Sequence, residues 1–160
     1  MPKFEVKQTK EGDLLKVEVT GSIDEDAVFT GITFNIDGIN KVRFDFSKCE
    51  TINSCGVREW IKFVKSVPTG RTIIYAEAPY FIVDQINMVA NFLPKGAIVE
   101  SIFVPYFCPG CQNQSMTLFL KSKEYKDNKL AAPEVKCDKC QAVMEMDVIE
   151  AKYFRFLIGV

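Results

Sequence analysis

The segments VRFDFS (42–47) and INSCGV (52–57) lie close together in the chain and decide how it folds. The first alternates apolar with polar residues, which predicts a half-buried β-strand. In the second, Asn53 and Ser54 are typical of a helix N-cap. The apolar residues that follow recur at helical spacing and predict an amphipathic helix over 56–67. These residues are Val57, Trp60, Ile61 and Val64.

Upstream, the sequence predicts an antiparallel hairpin and a short helix. Apolar residues alternate with polar ones on both sides of Gly12, as in two strands joined by a tight turn. We expect Ser22 or Asp24 to cap a short helix that extends through Phe29. The core helix that follows should bury Trp60 rather than expose it.

Downstream, strand and helix signals continue to alternate. A short apolar strand covers 73–76, and Pro79 suits the first turn of a second helix. The apolar stripe of that helix is Ile82, Ile86, Val89 and Leu93. A further strand covers 97–104. Alternating strands and helices predict an α/β fold with a mixed, mostly parallel sheet covered by helices, assigned to residues 1–104.

Residues 105–160 carry a different pattern, with two Cys-x-x-Cys pairs separated by 25 residues. The pairs are Cys108 with Cys111, and Cys137 with Cys140. Two such pairs suit one tetrahedral zinc ion bound by four thiolates, with no position left for water or substrate. We therefore expect one structural zinc in a small zinc ribbon-like β unit. A redox Cys-x-x-Cys function and an iron–sulfur or rubredoxin-like iron site are the alternatives.

Two strands and a terminal helix complete this β unit. Alternating patterns predict strands over 116–120 and 142–148, and helical spacing predicts a helix over 149–157. The unit has too few apolar residues to fold alone. We expect the helix to dock onto the rest of the protein.

Composition excludes several functional classes. The 160 residues contain no His, which removes imidazole-dependent catalysis and imidazole metal sites. Neither a glycine-rich phosphate loop nor an open metal position is evident, so we expect no enzyme activity. No run of eighteen apolar residues occurs, which argues against membrane insertion. The N-terminus lacks an apolar signal core, and we expect a cytoplasmic protein.

The charge distribution argues against nucleic-acid binding. Residues 105–160 hold 8 Lys+Arg and 7 Asp+Glu, and residues 1–104 hold 12 Lys+Arg and 14 Asp+Glu. Four thiolates and one Zn²⁺ would change the net charge of residues 105–160 from +1 to −1. Neither part offers the basic surface that phosphate binding needs, although zinc ribbons often bind nucleic acid.

The two opening segments, together with GSID (21–24), resemble the signature of STAS domains, the anti-sigma-factor antagonist modules. That signature has a strand ending in Asp-hydrophobe-Ser, and then Asp-Ser-Ser/Thr-Gly at a helix start. The resemblance covers roughly residues 4–104. Asn53 stands where the signature has Asp, and Cys55 replaces the second hydroxyl residue.

The resemblance implies a non-enzymatic protein–protein interaction module in bacterial signalling. Its partner would be an anti-sigma factor or a serine kinase, which phosphorylates a hydroxyl residue at the helix start and is then released. Ser54 is the only phosphorylation candidate left in the signature. The partner-binding residues that the resemblance implies are Asp24, Asn53, Ser54, Cys55, Gly56 and Arg58.

Cys55 also supports a different hypothesis, a thiol-based redox sensor. Thiols at helix N-termini are often acidic, and they react when exposed. Cys49 would then be the resolving thiol. The simpler interpretation is that Cys55 is a small residue that fills space near Trp60.

Overall fold

The computed structural model describes residues 3–158, and its first element is the predicted hairpin. Strands β1 (Glu5–Glu11) and β2 (Leu14–Ile23) pair antiparallel. The turn between them uses Gly12 at a φ of 64°, a backbone conformation that favours glycine. The hairpin prediction is confirmed.

A five-stranded sheet is the centre of the fold, with the strand order β1-β2-β3-β4-β5. After the hairpin come β3 (Lys41–Ile52), helix α1 (Ser54–Lys65), β4 (Thr72–Ala76), helix α2 (Tyr80–Met88) and β5 (Ile98–Val99). Strands β2 to β5 run parallel, and β1 alone is antiparallel. The predicted mixed, mostly parallel α/β sheet is therefore confirmed.

Aromatic side chains fill the space between this sheet and α1. Trp60 is fully buried, as predicted, and its ring contacts Phe44, Phe63 and Phe92. The Trp60 indole N–H donates to the Tyr75 hydroxyl over 2.9 Å. This hydrogen bond satisfies the one polar atom that the indole takes into the core.

The predicted short helix through Phe29 does not form. Ser22 belongs to β2, and the chain then makes one turn in which the Ala27 N–H donates to the Asp24 carbonyl. The Asp24 side chain also accepts from the Asp26 N–H over 2.9 Å, so it closes a turn instead of capping a helix. An irregular loop follows, whose Phe29 packs on α1 through Phe63.

Helix α2 is shorter than its apolar stripe predicts. It ends at Met88 because Val89 is extended, with φ −109° and ψ 116°. The chain turns there, and Phe92 enters the aromatic core. Leu93 therefore packs against the core from an irregular segment rather than from the helix.

The predicted strand over 97–104 is two strands that belong to different sheets. β5 pairs with β4, whereas β6 (Ser101–Phe107) joins a second, antiparallel sheet in the order β7-β6-β8. Here β7 is Gln114–Leu120 and β8 is Glu145–Met146. Glu100 stands at the junction, where its carboxylate accepts two hydrogen bonds from the Arg43 guanidinium. β6 therefore spans position 105, where the sequence pattern changes.

The C-terminal segment docks onto α2 as predicted, but the α-helix is shorter than the predicted range of 149–157. Helix α3 (Glu150–Tyr153) is followed by a 3₁₀ turn (Arg155–Leu157), and another such turn covers Lys126–Asn128. The Asn87 side chain on α2 donates to the Tyr153 carbonyl and accepts from the Phe156 N–H, each over 2.9 Å. The strand predicted over 142–148 shrinks to β8. The buried residues of both sheets form one cluster.

Within residues 3–158, no helix combines the length and the apolar character needed to cross a membrane.

Candidate functional site

The start of α1 is held by hydrogen bonds from the Asn53 side chain. Its Oδ1 accepts from the Gly56 N–H over 2.9 Å, which makes Asn53 the predicted N-cap. Its Nδ2 donates to Glu25 Oε2 over 2.7 Å. One amide therefore caps the helix and ties it to the loop that follows β2.

Gly56 fixes where the helix start lies. A Cβ at this position would meet the Ile23 carbonyl oxygen at 1.8 Å, so only glycine allows the helix to approach the end of β2 this closely. The Asn53 N–H donates to the same carbonyl over 3.2 Å. Gly56 is thus a buried packing residue rather than a contact residue.

The first turn of α1 presents polar atoms outward. Asn53, Ser54 and Arg58 are exposed, and Cys55 is half-buried. Asp24, also half-buried, lies in the loop that Glu25 joins to Asn53. The structure therefore brings the Asp24 loop next to the start of α1.

Sequence reasoning missed Glu25, the residue that links these two segments. The backbone N–H of Glu25 and then the Asn53 amide lower the pKa of its carboxyl, which keeps it charged. Asp24, Glu25 and Asp26 make this loop acidic. This run of three consecutive acidic residues was the sequence feature that could have indicated Glu25.

Cys49, the thiol assigned a resolving function in the redox hypothesis, is buried in β3. Burial, with a smaller effect from Glu50, raises the pKa of its thiol to about 12. A thiol that stays protonated is a poor nucleophile. This environment disfavours Cys49 as a partner for Cys55.

The four cysteines of the two Cys-x-x-Cys pairs lie together at the far end of the second sheet. All four sulfur atoms fall within 4.8 Å of one another. Cys108 and Cys140 are 3.5 Å apart, and so are Cys111 and Cys137. Among residues 3–158 this is the one group of metal-ligand type that comes together.

The two cysteine turns have the same geometry. In the first, the Cys108 N–H donates to the Asn113 carbonyl and the Gln112 N–H donates to the Cys108 carbonyl, at 2.8 and 2.9 Å. Gln112 has a φ of 67°. The second turn repeats both bonds at the same lengths, with a φ of 66° at the equivalent glutamine. Its corresponding residues are Cys137, Gln141 and Ala142. Such matched turns present two sulfurs each to a common point.

The four thiols differ in how readily they ionise. The backbone N–H groups of Cys140 and Lys139 lower the pKa of the Cys137 thiol to about 6. The Asn113 N–H acts in the same direction on Cys111, yet hydrogen bonds with neighbouring thiols, Cys137 first, raise its pKa to about 12. Four adjacent sulfurs therefore cannot all ionise unless a positive charge lies between them.

The donor set and spacing fit a tetrahedral metal. Four sulfurs at about 2.3 Å from a zinc ion stand about 3.8 Å from each other, and the observed separations bracket that value. Thiolate ligands select Zn²⁺ or iron among common metals. The cluster could hold one metal ion with every ligand position filled.

Comparison with known proteins found a distant structural likeness. Among solved structures, the chain is similar to the anti-sigma factor antagonist SpoIIAA in its unphosphorylated form, with a TM-score of 0.38 and 14% identity. The match covers 61% of this chain and 88% of that one. A likeness this distant carries no conclusion about function. Neither the protein-family models nor the curated proteins match the chain.

Proposed function

We propose that this protein is a non-enzymatic protein–protein interaction module of bacterial signalling, with a structural zinc ion. It would bind its partner, an anti-sigma factor or a serine kinase, through the start of α1. In this proposal residues 1–104 provide the docking site and residues 105–160 provide the metal site. The protein would act in the cytoplasm.

One observation carries the docking proposal: the start of α1 is exposed and yet rigidly positioned. Most of the apolar side of α1 is buried, whereas Asn53 and Ser54 face solvent. The close approach of Gly56 to Ile23 and the Asn53–Glu25 hydrogen bond hold that turn in place. A preorganised polar surface loses little entropy on binding.

Phosphorylation of Ser54 would control the contact with the partner. It is exposed at the first residue of α1, next to the N-cap. A phosphate there would be accommodated by free N–H groups of the first turn. It would also add nearly two negative charges beside Asp24 and Glu25, and it would obstruct a docked partner.

Partner capture with paired variants tests this proposal. Ser54→Asp adds charge at the proposed surface, and Ser122→Asp adds the same charge at an exposed serine outside it. We expect one defined protein to be captured by the wild type and by Ser122→Asp but lost with Ser54→Asp. Capture that is equal for all three proteins would refute docking through this turn.

The metal proposal is one structural zinc ion per chain. It is supported by the matched turns, the sulfur separations and the set of four sulfur donors. Zinc would supply binding energy that holds the two cysteine turns together.

A further inference from the structure

A cavity of about 380 Å³ lies between α2, the second sheet and the segment that leads into α3, away from both sites described above. Its volume falls within the range of small-molecule sites, about 300–1,000 Å³. Apolar and aromatic groups make up most of its wall. They include Tyr80, Met116, Val148 and Tyr153.

Two exposed apolar side chains line this cavity. Tyr80 and Met116 are 48% and 54% exposed, although each lies on a regular element that could have buried it. An aromatic ring and a thioether that remain accessible at a concave surface are typical of ligand contacts. The wall therefore suits a ligand with an apolar body.

The charged side chains that line the cavity are both acidic. Asp84 and Asp147 line the cavity, and no lysine or arginine does. Burial raises the pKa of Asp84, and no hydrogen bond or ion pair among the described residues offsets that effect. Lys152 and Arg155 line an adjoining cavity that shares Asp84, but neither forms an ion pair with it within residues 3–158. A cation in the first cavity would pair with this carboxylate.

Tyr106 supplies a second, independent observation. It lines the same cavity and is 3% exposed, and its hydroxyl has no hydrogen-bond partner within residues 3–158. Buried hydroxyls in folded proteins are nearly always paired. In contrast, the Tyr153 hydroxyl on the same wall donates to the Phe103 carbonyl. Tyr106 is thus a residue of the cavity wall whose buried hydroxyl is unpaired among the described residues.

We propose that this cavity binds a small organic ammonium ion with an aromatic body. The carboxylates of Asp84 and Asp147 would pair with the ammonium group, and the tyrosine rings would pack against the body and add cation–π attraction. The geometry assigns charge recognition to Asp84 and the apolar contacts to Tyr80 and Met116. The ligand would be a free amine, since the cavity is of small-molecule size.

A matched set of probes tests the charge requirement on the full chain. Protonated 2-phenylethylamine, 2-phenylethanol and 3-phenylpropionate share one aromatic body and differ in charge. In an NMR titration of the ¹⁵N-labelled protein, we expect saturable shifts along α2, β6 and β7. The amine should bind at least about tenfold more tightly than the alcohol, as a charge-assisted hydrogen bond provides. Equal binding of all three probes, tighter binding of the carboxylate, or no saturable shift would overturn the proposal.

Two variants locate the binding site, and one more amine tests its occupant. Asp84→Asn should remove most of the preference for the amine, whereas Asp37→Asn, which removes the same charge from an exposed loop, should leave it unchanged. Equal effects of the two variants would overturn the assignment to Asp84.

Butylamine, which resembles a lysine side chain, should bind more weakly than phenylethylamine. Tighter binding of butylamine would indicate a partner's lysine and contradict a free aromatic amine.

Discussion

The start of α1 and the four-cysteine cluster are held in place by different means. At α1, Gly56 packs against the Ile23 carbonyl oxygen. The Asn53 side chain accepts one hydrogen bond and donates another, and these contacts fix the turn above the aromatic core. At the cysteines, two matched turns bring four sulfurs together. Packing and side-chain hydrogen bonds thus position a polar turn at the surface, whereas the cysteine turns surround a point where a metal ion would fit.

Removing the metal should have the largest effect and should be confined to one region. We expect about one zinc per chain by elemental analysis, and none in Cys140→Ser. A structural zinc contributes on the order of 10 kcal/mol of apparent folding free energy in small units. Hydrogen exchange should therefore show loss of protection in β7 and β8, with α1 protection largely retained.

Cys55→Ser is the matched control, because it removes a thiol outside the cluster. Its zinc content should equal that of the wild type. A metal-free wild type, or equal zinc loss in both variants, would contradict a zinc site at these four cysteines.

Gly56→Ala should have the next largest effect, because the new Cβ would overlap the Ile23 carbonyl oxygen at 1.8 Å. Overpacking of this kind costs about 1–3 kcal/mol, and more where backbone must move. Chemical denaturation should show this decrease in the free energy of unfolding.

Gly110→Ala is the control in the cysteine region. Its Cβ would meet only ordinary contacts, the nearest being Cys140 Sγ at 3.5 Å. We expect a change within about 0.5 kcal/mol. A cost for Gly110→Ala equal to that for Gly56→Ala would show that the two turns are not held differently.

Asn53→Ala tests the cap and its bond to Glu25 together. Loss of an N-cap costs about 1 kcal/mol, and the loop after β2 should lose protection from hydrogen exchange because Nδ2 no longer holds Glu25. Asn35→Ala, at an exposed loop residue, should be nearly neutral. Unchanged loop protection in Asn53→Ala would contradict the bridging function.

Glu25→Gln should have the smallest effect, and that effect should depend on pH. The pKa of Glu25 is lowered in the folded protein from its ordinary value of 4.5, so its carboxylate stabilises the fold at neutral pH. That contribution diminishes as the pH falls below 4.5 and through the folded-state pKa. The stability difference between wild type and variant should therefore be seen at neutral pH and vanish in acid. A difference that grows in acid would contradict the sign of the pKa shift.

The parallel sheet, α1 and the cysteine pairing were predictable because local patterns specify them. Alternation in β3, helical spacing around Trp60 and two equal Cys-x-x-Cys turns each depend on neighbouring residues. The Asn53 cap follows from the same local chemistry.

Other features depend on residues far apart in the chain. The break at Glu100 depends on Arg43 and on pairing with β7, and the end of α2 depends on where Phe92 packs. The helix predicted after β2 does not form, because the Asp24 side chain accepts from the Asp26 N–H and closes a turn. Residue preferences alone cannot distinguish this turn from a helix N-cap. Glu25 was missed because its partner lies 28 residues away.

Site-specific photo-crosslinking in living cells tests most directly whether the start of α1 is the binding surface. A photoreactive amino acid would replace Ser54 in one protein and the exposed Ser122 in another. The account predicts a single discrete adduct from position 54 and none from position 122. Adducts from position 122 alone, or no adduct from position 54, would contradict it.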